Sequence, residues 1–174
     1  MEPKPVKSTI TVMTELVMPN DTNNLGNLMG GNLLRWMDIA SSVSAMKLCG
    51  TQVVTAAVDS VSFREPILLS DVVCIEAQVT RTFNTSMEIY MEVFRESLKN
   101  PGRKKSNVAY YTFVSLDGEG NPQAVPSVIP ETDEEKERFA GALRRRQLRL
   151  VLAGRMKPEE ATELKSLFLK DVVG

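Results

Sequence analysis

The chain has 174 residues, carries 21 Lys+Arg against 22 Asp+Glu for a formal net charge of -1, and contains no histidine. That length gives one compact domain with extra chain at an end, and the charge balance excludes a chain built as a whole for nucleic acid or an anionic membrane. Lack of histidine excludes Ser-His-Asp and Cys-His hydrolases, histidine-base dehydratases and histidine-ligated metal sites. Acid–base chemistry therefore falls to Asp, Glu, Lys, Tyr or Cys.

Cys49 and Cys74 are too few for a disulfide framework or a cysteine zinc site. They read as small buried hydrophobes in a reducing compartment. No stretch reaches the roughly 18 consecutive apolar residues of a membrane span. The opening Met1-Glu2-Pro3-Lys4-Pro5 has no apolar signal segment. The expected address is the cytoplasm, with no membrane, nucleic acid, metal or cofactor involved.

Along the chain, residues 8–16 alternate apolar and polar and predict a first strand. Residues 18–27, with Pro19, Asp21, Asn23, Asn24 and Gly26, predict a polar loop in which side chains bond the backbone. Gly30-Gly31-Asn32 opens a helix to about residue 48, with Asn32 as N-cap and Gly50 as the stop. This helix is apolar nearly all round, as a buried one is. Between Arg35 and Lys47 its only charge is Asp38.

Four strands are predicted next. Residues 53–63 form an almost unbroken run of β-formers, as in a strand covered on both faces. Residues 73–80, 87–93 and 108–114 alternate with period two, giving one core face and one polar face. The last ends at Asp117-Gly118-Glu119-Gly120-Asn121-Pro122, a turn. One helix cannot cover both faces of five strands, so the expected fold is α+β, a curved antiparallel sheet wrapped around one long buried helix. Residues 1–130 make that domain. Residues 131–174 make a C-terminal helical extension, started by a Thr132/Glu135 capping box and carrying Arg144-Arg145-Arg146 and Arg149. The arginines read as a solvated helical face; the other reading is a grip on a phosphate or acidic partner.

Asp38 needs a reason. A carboxylate inside an apolar helix is costly unless paired or used. One reading is a structural carboxylate; the other is a general base or nucleophile. The loop Gly26-Asn27-Leu28-Met29-Gly30-Gly31 favours use. Its glycines admit a ligand close to the backbone, and free N–H groups at a helix start stabilise an oxyanion. Asn27 adds an amide that polarises a carbonyl or orients water. Asp38 lies about two turns into the helix, so a site using both residues needs two chains.

These residues resemble a family. Met18-Pro19-x-Asp21-x-Asn23-x-x-Gly26-Asn27-x-x-Gly30-Gly31, followed by Met37-Asp38, is similar to the cytosolic acyl-CoA hydrolases, a branch of the hotdog thioesterases. The run 53–63, the turn Asn84-Thr85-Ser86-Met87-Glu88 and the segment 128–139 are similar too, so the likeness covers about residues 8–145. It implies hydrolysis of fatty acyl-CoA to free acid and coenzyme A. It also implies a site completed across a hotdog dimer by Asn27 of one protomer and Asp38 of the other, with three dimers forming a hexamer. Some relatives carry His where Met29 stands here. In this mechanism Asp38 attacks the thioester or deprotonates water, while Asn27 and the Gly31 N–H hold the oxyanion. For the phosphates of coenzyme A the candidates are Arg64, Asn84, Thr85, Ser86, Arg103 and Lys104, from basic or turn-forming segments. The rival is a non-catalytic acyl-CoA-binding or sensing module, which gains nothing from a carboxylate beside the thioester.

Overall fold

The computed structural model describes residues 1–59, 61, 65–97 and 102–169. The chain divides into two compact units, Met1–Ile129 and Pro130–Gly174.

In the first unit, β1 (Lys4–Pro5) pairs in parallel with β7 (Val128–Ile129), tying the start of the unit to its end. Residues 6–9 wind into a 3-10 turn, because the Ser8 and Thr9 hydroxyls bond back to the Pro5 and Val6 carbonyls at 2.8 and 2.7 Å. The first sheet strand, β2 (Thr11–Leu16), therefore starts later than the alternation of residues 8–16 predicts.

α1 (Gly30–Cys49) ends where Gly50 takes a left-handed φ of 71°, accessible to glycine without a Cβ penalty. It starts two residues before Asn32. Asn32 lies inside the first turn, and its amide donates to Asp21 Oδ1 at 3.3 Å instead of capping the helix. Leu33, Trp36, Met37, Ala40, Ser41, Ser44, Ala45 and Leu48 are buried. Ile39 and Met46 are 39% and 41% exposed, so the expectation of a helix buried all round holds for one face only.

The remaining strands are β3 (Gln52–Asp59), β4 (Val72–Thr82), β5 (Ser86–Glu96) and β6 (Arg103–Leu116). With β2 they form one antiparallel sheet in the order β2-β4-β5-β6-β3. Met87, Ile89, Met91 and Val93 of β5 are fully buried, the alternation that period two predicts for a core face. α1 packs against all five strands, so the sheet curves around it in the hotdog arrangement. Met37, Leu48, Tyr111 and Phe113 are among the side chains sealed between helix and sheet. Each such burial contributes on the order of 1.5–3 kcal/mol.

β3 differs from expectation. Among the described residues it pairs only with β6, and Val54 and Val58 are 46% and 49% exposed. In the single chain this β-forming run is an open edge, not a strand covered on both faces. Ser60, Ser62 and Phe63, the end of the predicted run, lie outside the described residues.

The second unit holds α2 (Asp133–Leu152) and α3 (Thr162–Leu169). The capping box is formed: Glu135 N–H donates to Thr132 Oγ1 at 3.2 Å, and Glu135 Oε2 accepts from Thr132 N–H at 3.1 Å. Gln147 of α2 accepts from the Leu164 N–H at 2.9 Å, which fixes α3 against α2. Among the described residues no helix is long and apolar enough to cross a membrane.

Candidate active site

Asp38 follows two buried residues of α1, Trp36 and Met37, and is itself half-buried. Thr55 of β3 donates its hydroxyl to Asp38 Oδ1 at 2.6 Å. That bond orients the carboxylate and leaves Oδ2 for other chemistry. On β6, Tyr111 is 1% exposed and its hydroxyl has no hydrogen-bond partner among the described residues. Burial, and then the negative charge of Asp38, push the Tyr111 phenol up to about 12.

Asn27 is held by an interlocked loop. The Asn23 side chain accepts from the Leu25 and Asn27 N–H groups at 2.9 and 3.2 Å, and Gly26 takes a φ of 74° that needs glycine. Leu28 N–H donates to the Ile67 carbonyl at 2.7 Å, and Leu69 N–H to the Gly26 carbonyl at 3.0 Å. The turn 67–71 is fixed in its own right, since buried Asp71 accepts from the Leu68 N–H at 2.9 Å and from Arg95 at 3.3 Å. The loop runs into α1, where the N–H groups of Gly30 and Gly31 have no intrahelical acceptor. Asn23, Asn27, Gly30, Leu33, Ile67 and Asn107 line a cleft of about 320 Å³.

The single chain does not bring Asn27 and Asp38 together. Asp38 is not among the residues lining the Asn27 cleft. Asn107, on that cleft, pairs with Val93, whereas Phe113 pairs with Thr55 and Met87 in the row that holds Asp38. Six positions of β6 separate these rows, roughly 20 Å of strand.

The residues considered for coenzyme A also separate. Asn84, Thr85 and Ser86 form the β4–β5 turn beside the Met87 row, and the Asn84 and Thr85 carbonyls accept from the Val125 and Ser115 N–H groups. Arg103 and Lys104 start β6 at the other end of that ladder, opposite Glu96 and Arg95. Arg103 pairs with Glu76 and lies over the Phe94 ring, 3.7 Å from its centroid. Arg64 lies outside the described residues. Both cysteines are free, and no group of three or more His, Cys, Asp or Glu residues is placed to hold a metal ion among the described residues.

Sequence reasoning passed over Thr55 and Tyr111. Each sits in a stretch whose alternation only announces a strand, and the signal lies in strand register, which a single sequence does not print.

Residues 25–101 match the family pattern described as the thioesterase superfamily. An acyl-CoA thioester hydrolase of Bacillus subtilis is 43% identical over 129 residues, covering 74% of this chain and 75% of that protein. Among solved structures, an apo-hexameric acyl-CoA thioesterase superposes with a TM-score of 0.84 at 37% identity, covering 88% of this chain and 98% of that one. An acyl-CoA hydrolase of Staphylococcus aureus, solved with butyryl coenzyme A, coenzyme A and coenzyme A disulfide, superposes with a TM-score of 0.80 at 34% identity, covering 87% and 94%. That enzyme has also been solved with alanine replacing an aspartate, an asparagine or a threonine. The curved sheet around α1 and the sequence identity over most of the relatives' length lead to one assignment: the chain belongs to the acyl-CoA thioester hydrolases of the hotdog-fold thioesterase superfamily.

Proposed function

We propose that this protein hydrolyses the thioester of fatty acyl-CoA at a site shared by two copies, Asp38 of one protomer facing Asn27 and Gly31 of the partner subunit. The observation that carries the reading is the Asp38 carboxylate, set in an apolar helix and held through one oxygen by Thr55. The open edge of β3 supports the sharing. Its Val54 and Val58 are half-exposed, and an antiparallel match of β3 with a second β3 covers them and supplies the missing ladder bonds. The assembly proposed is a dimer, with three dimers in a hexamer; the apo acyl-CoA thioesterase that this chain resembles is hexameric.

In the reaction, Asp38 acts as general base. Water attacks the carbonyl carbon as its proton passes to the carboxylate, and the oxyanion is held by the Asn27 amide and the Gly31 N–H of the partner subunit. The carbon–sulfur bond then breaks and the electron pair leaves with sulfur. A thiol of pKa about 8.5 departs readily as thiolate, so no strong general acid is needed. This suits a chain without histidine, and the proposal includes no metal or cofactor. Asn84, Thr85 and Ser86 lie near the Asp38 row and are proposed to contact coenzyme A with Arg64, Arg103 and Lys104. Free cysteines support a cytoplasmic address.

A panel of acyl-CoA esters from short to long, with released thiol as readout, tests the function. Thiol release above the uncatalysed rate is expected for at least one fatty chain length. Binding without release across the panel establishes the sensing module instead.

A further inference from the structure

Tyr111 is one of three buried residues, with Ser44 and Thr112, whose hydroxyl has no hydrogen-bond partner among the described residues. On β6 it is two residues from Phe113, whose partner on β3 is Thr55. Residues two apart on a strand, and residues paired across a ladder, share a face. Tyr111, Phe113 and Thr55 therefore all face α1, the side from which Thr55 reaches Asp38. The Tyr111 side chain is sealed, yet its hydroxyl bonds nothing among the described residues.

Buried hydroxyls without a partner are few in native structures, and each calls for an explanation. Packing does not provide one, since phenylalanine fills the same space without burying a polar atom. A hydroxyl kept here, beside the row that holds Asp38, has its use when the site is filled.

We propose that the Tyr111 hydroxyl is a third member of the Asp38–Thr55 group and donates a hydrogen bond to the water that Asp38 deprotonates. Thr55 holds one oxygen of the carboxylate, Oδ2 takes the proton of the water, and the phenol fixes that water from a second side. The phenol keeps its own proton throughout. The raised pKa agrees, because a phenol pushed up to about 12 is a donor at every working pH. This inference rests on Asp38 acting as a base.

The test is steady-state kinetics and thermal melting of the full-length assembled protein carrying Tyr111→Phe, with Asp38→Asn and the double variant alongside. Tyr111→Phe is expected to lower kcat about tenfold, the worth of one hydrogen bond made in the transition state. KM should stay within about twofold and the melting temperature should hold or rise, since the change deletes an unpaired buried hydroxyl. In the inactive Asp38→Asn background the same change should cost nothing more. Full turnover in Tyr111→Phe, with Asp38→Asn inactive, would overturn the inference and leave the base in place. So would a fall in kcat matched by a fall in melting temperature, or an equal further loss in the double variant. Turnover retained by Asp38→Asn would remove the base itself, and this inference with it.

Discussion

Thr55 Oγ1 lies 2.6 Å from Asp38 Oδ1, a bond that ties the first half of α1 to the exposed edge strand β3. The carboxylate is thus set by a residue on the strand whose outer edge is open. Orientation of Asp38 and completion of the β3 edge are linked through this contact.

Thr55→Ala should therefore lower kcat about tenfold while leaving the fold intact, because it removes one hydrogen bond from a position that is exposed in the single chain. Thr55→Ser keeps the hydroxyl and should recover most of the rate. Steady-state kinetics on the two variants decides it. Equal loss in both would assign the role of Thr55 to its methyl group.

A charge on the β3 edge should separate the protomers. Val58→Asp places a carboxylate at a half-exposed position, so the single chain tolerates it, while a paired edge buries it. Light scattering should show smaller species, and turnover should be lost with them. A monomer that keeps full turnover would rule out a shared site. Mixing Asp38→Ala with Asn27→Ala under subunit exchange should restore part of the activity that each variant lacks.

The legible parts of the fold were those set by local chemistry. Gly50 stops α1, Thr132 and Glu135 form their box, and the alternation of β5 puts Met87, Ile89 and Met91 in the core. Asp38 stood out as the one charge between Arg35 and Lys47. What was not legible depended on partners distant in sequence. Asn32 bonds Asp21 instead of capping, Thr55 meets Asp38 only because β3 folds beside α1, and Tyr111, paired with Val58, reaches the same face beside that row through the β3–β6 register. The β3 run read as doubly covered because its composition suits burial, whereas the single chain leaves its edge open.

Alkaline stability should report Tyr111. Its pKa is raised from 10.0 to about 12, so the folded chain keeps a proton that the unfolded chain loses. This contribution is fully present below pH 10 and is lost as pH rises to about 12. Urea melts across that range should show a steeper fall for the unsubstituted protein than for Tyr111→Phe. Parallel curves would mean that the phenol titrates alike folded and unfolded.

Isotope labelling tests a base against a nucleophile whose anhydride opens at the aspartyl carbonyl. In a single turnover in ¹⁸O-water, a base delivers the labelled oxygen straight to the fatty acid. Direct attack by Asp38 forms an aspartyl–acyl anhydride, and its opening by water at the aspartyl carbonyl transfers an unlabelled carboxylate oxygen to the acid and leaves the label in the enzyme. Mass spectrometry of acid and protein should find label in the acid alone.

The Asn27 loop should depend on a residue remote from the chemistry. Asp71, 2% exposed, accepts from Leu68 N–H and from Arg95, and the turn it fixes accepts the Leu28 N–H through the Ile67 carbonyl. Asp71→Ala leaves the Leu68 N–H without its acceptor and, among the described residues, Arg95 with only its longer contact, 3.5 Å to Glu65. Breaking a buried pair on one side costs roughly 3–5 kcal/mol; Arg95 retains some solvent exposure and the Glu65 contact, which places the expected loss near the lower figure. For a chain of this size that is a fall of about 6–12 °C in melting temperature. Asp71→Asn retains an acceptor for the N–H and should lose less. Because Leu28 adjoins Asn27, the loosened turn should also lower turnover in molecules that remain folded and assembled, while Asp38 and Thr55 are untouched. Melting curves, light scattering and kcat on the two variants check this. Undiminished turnover in folded Asp71→Ala would show that Asn27 is positioned without the 67–71 turn.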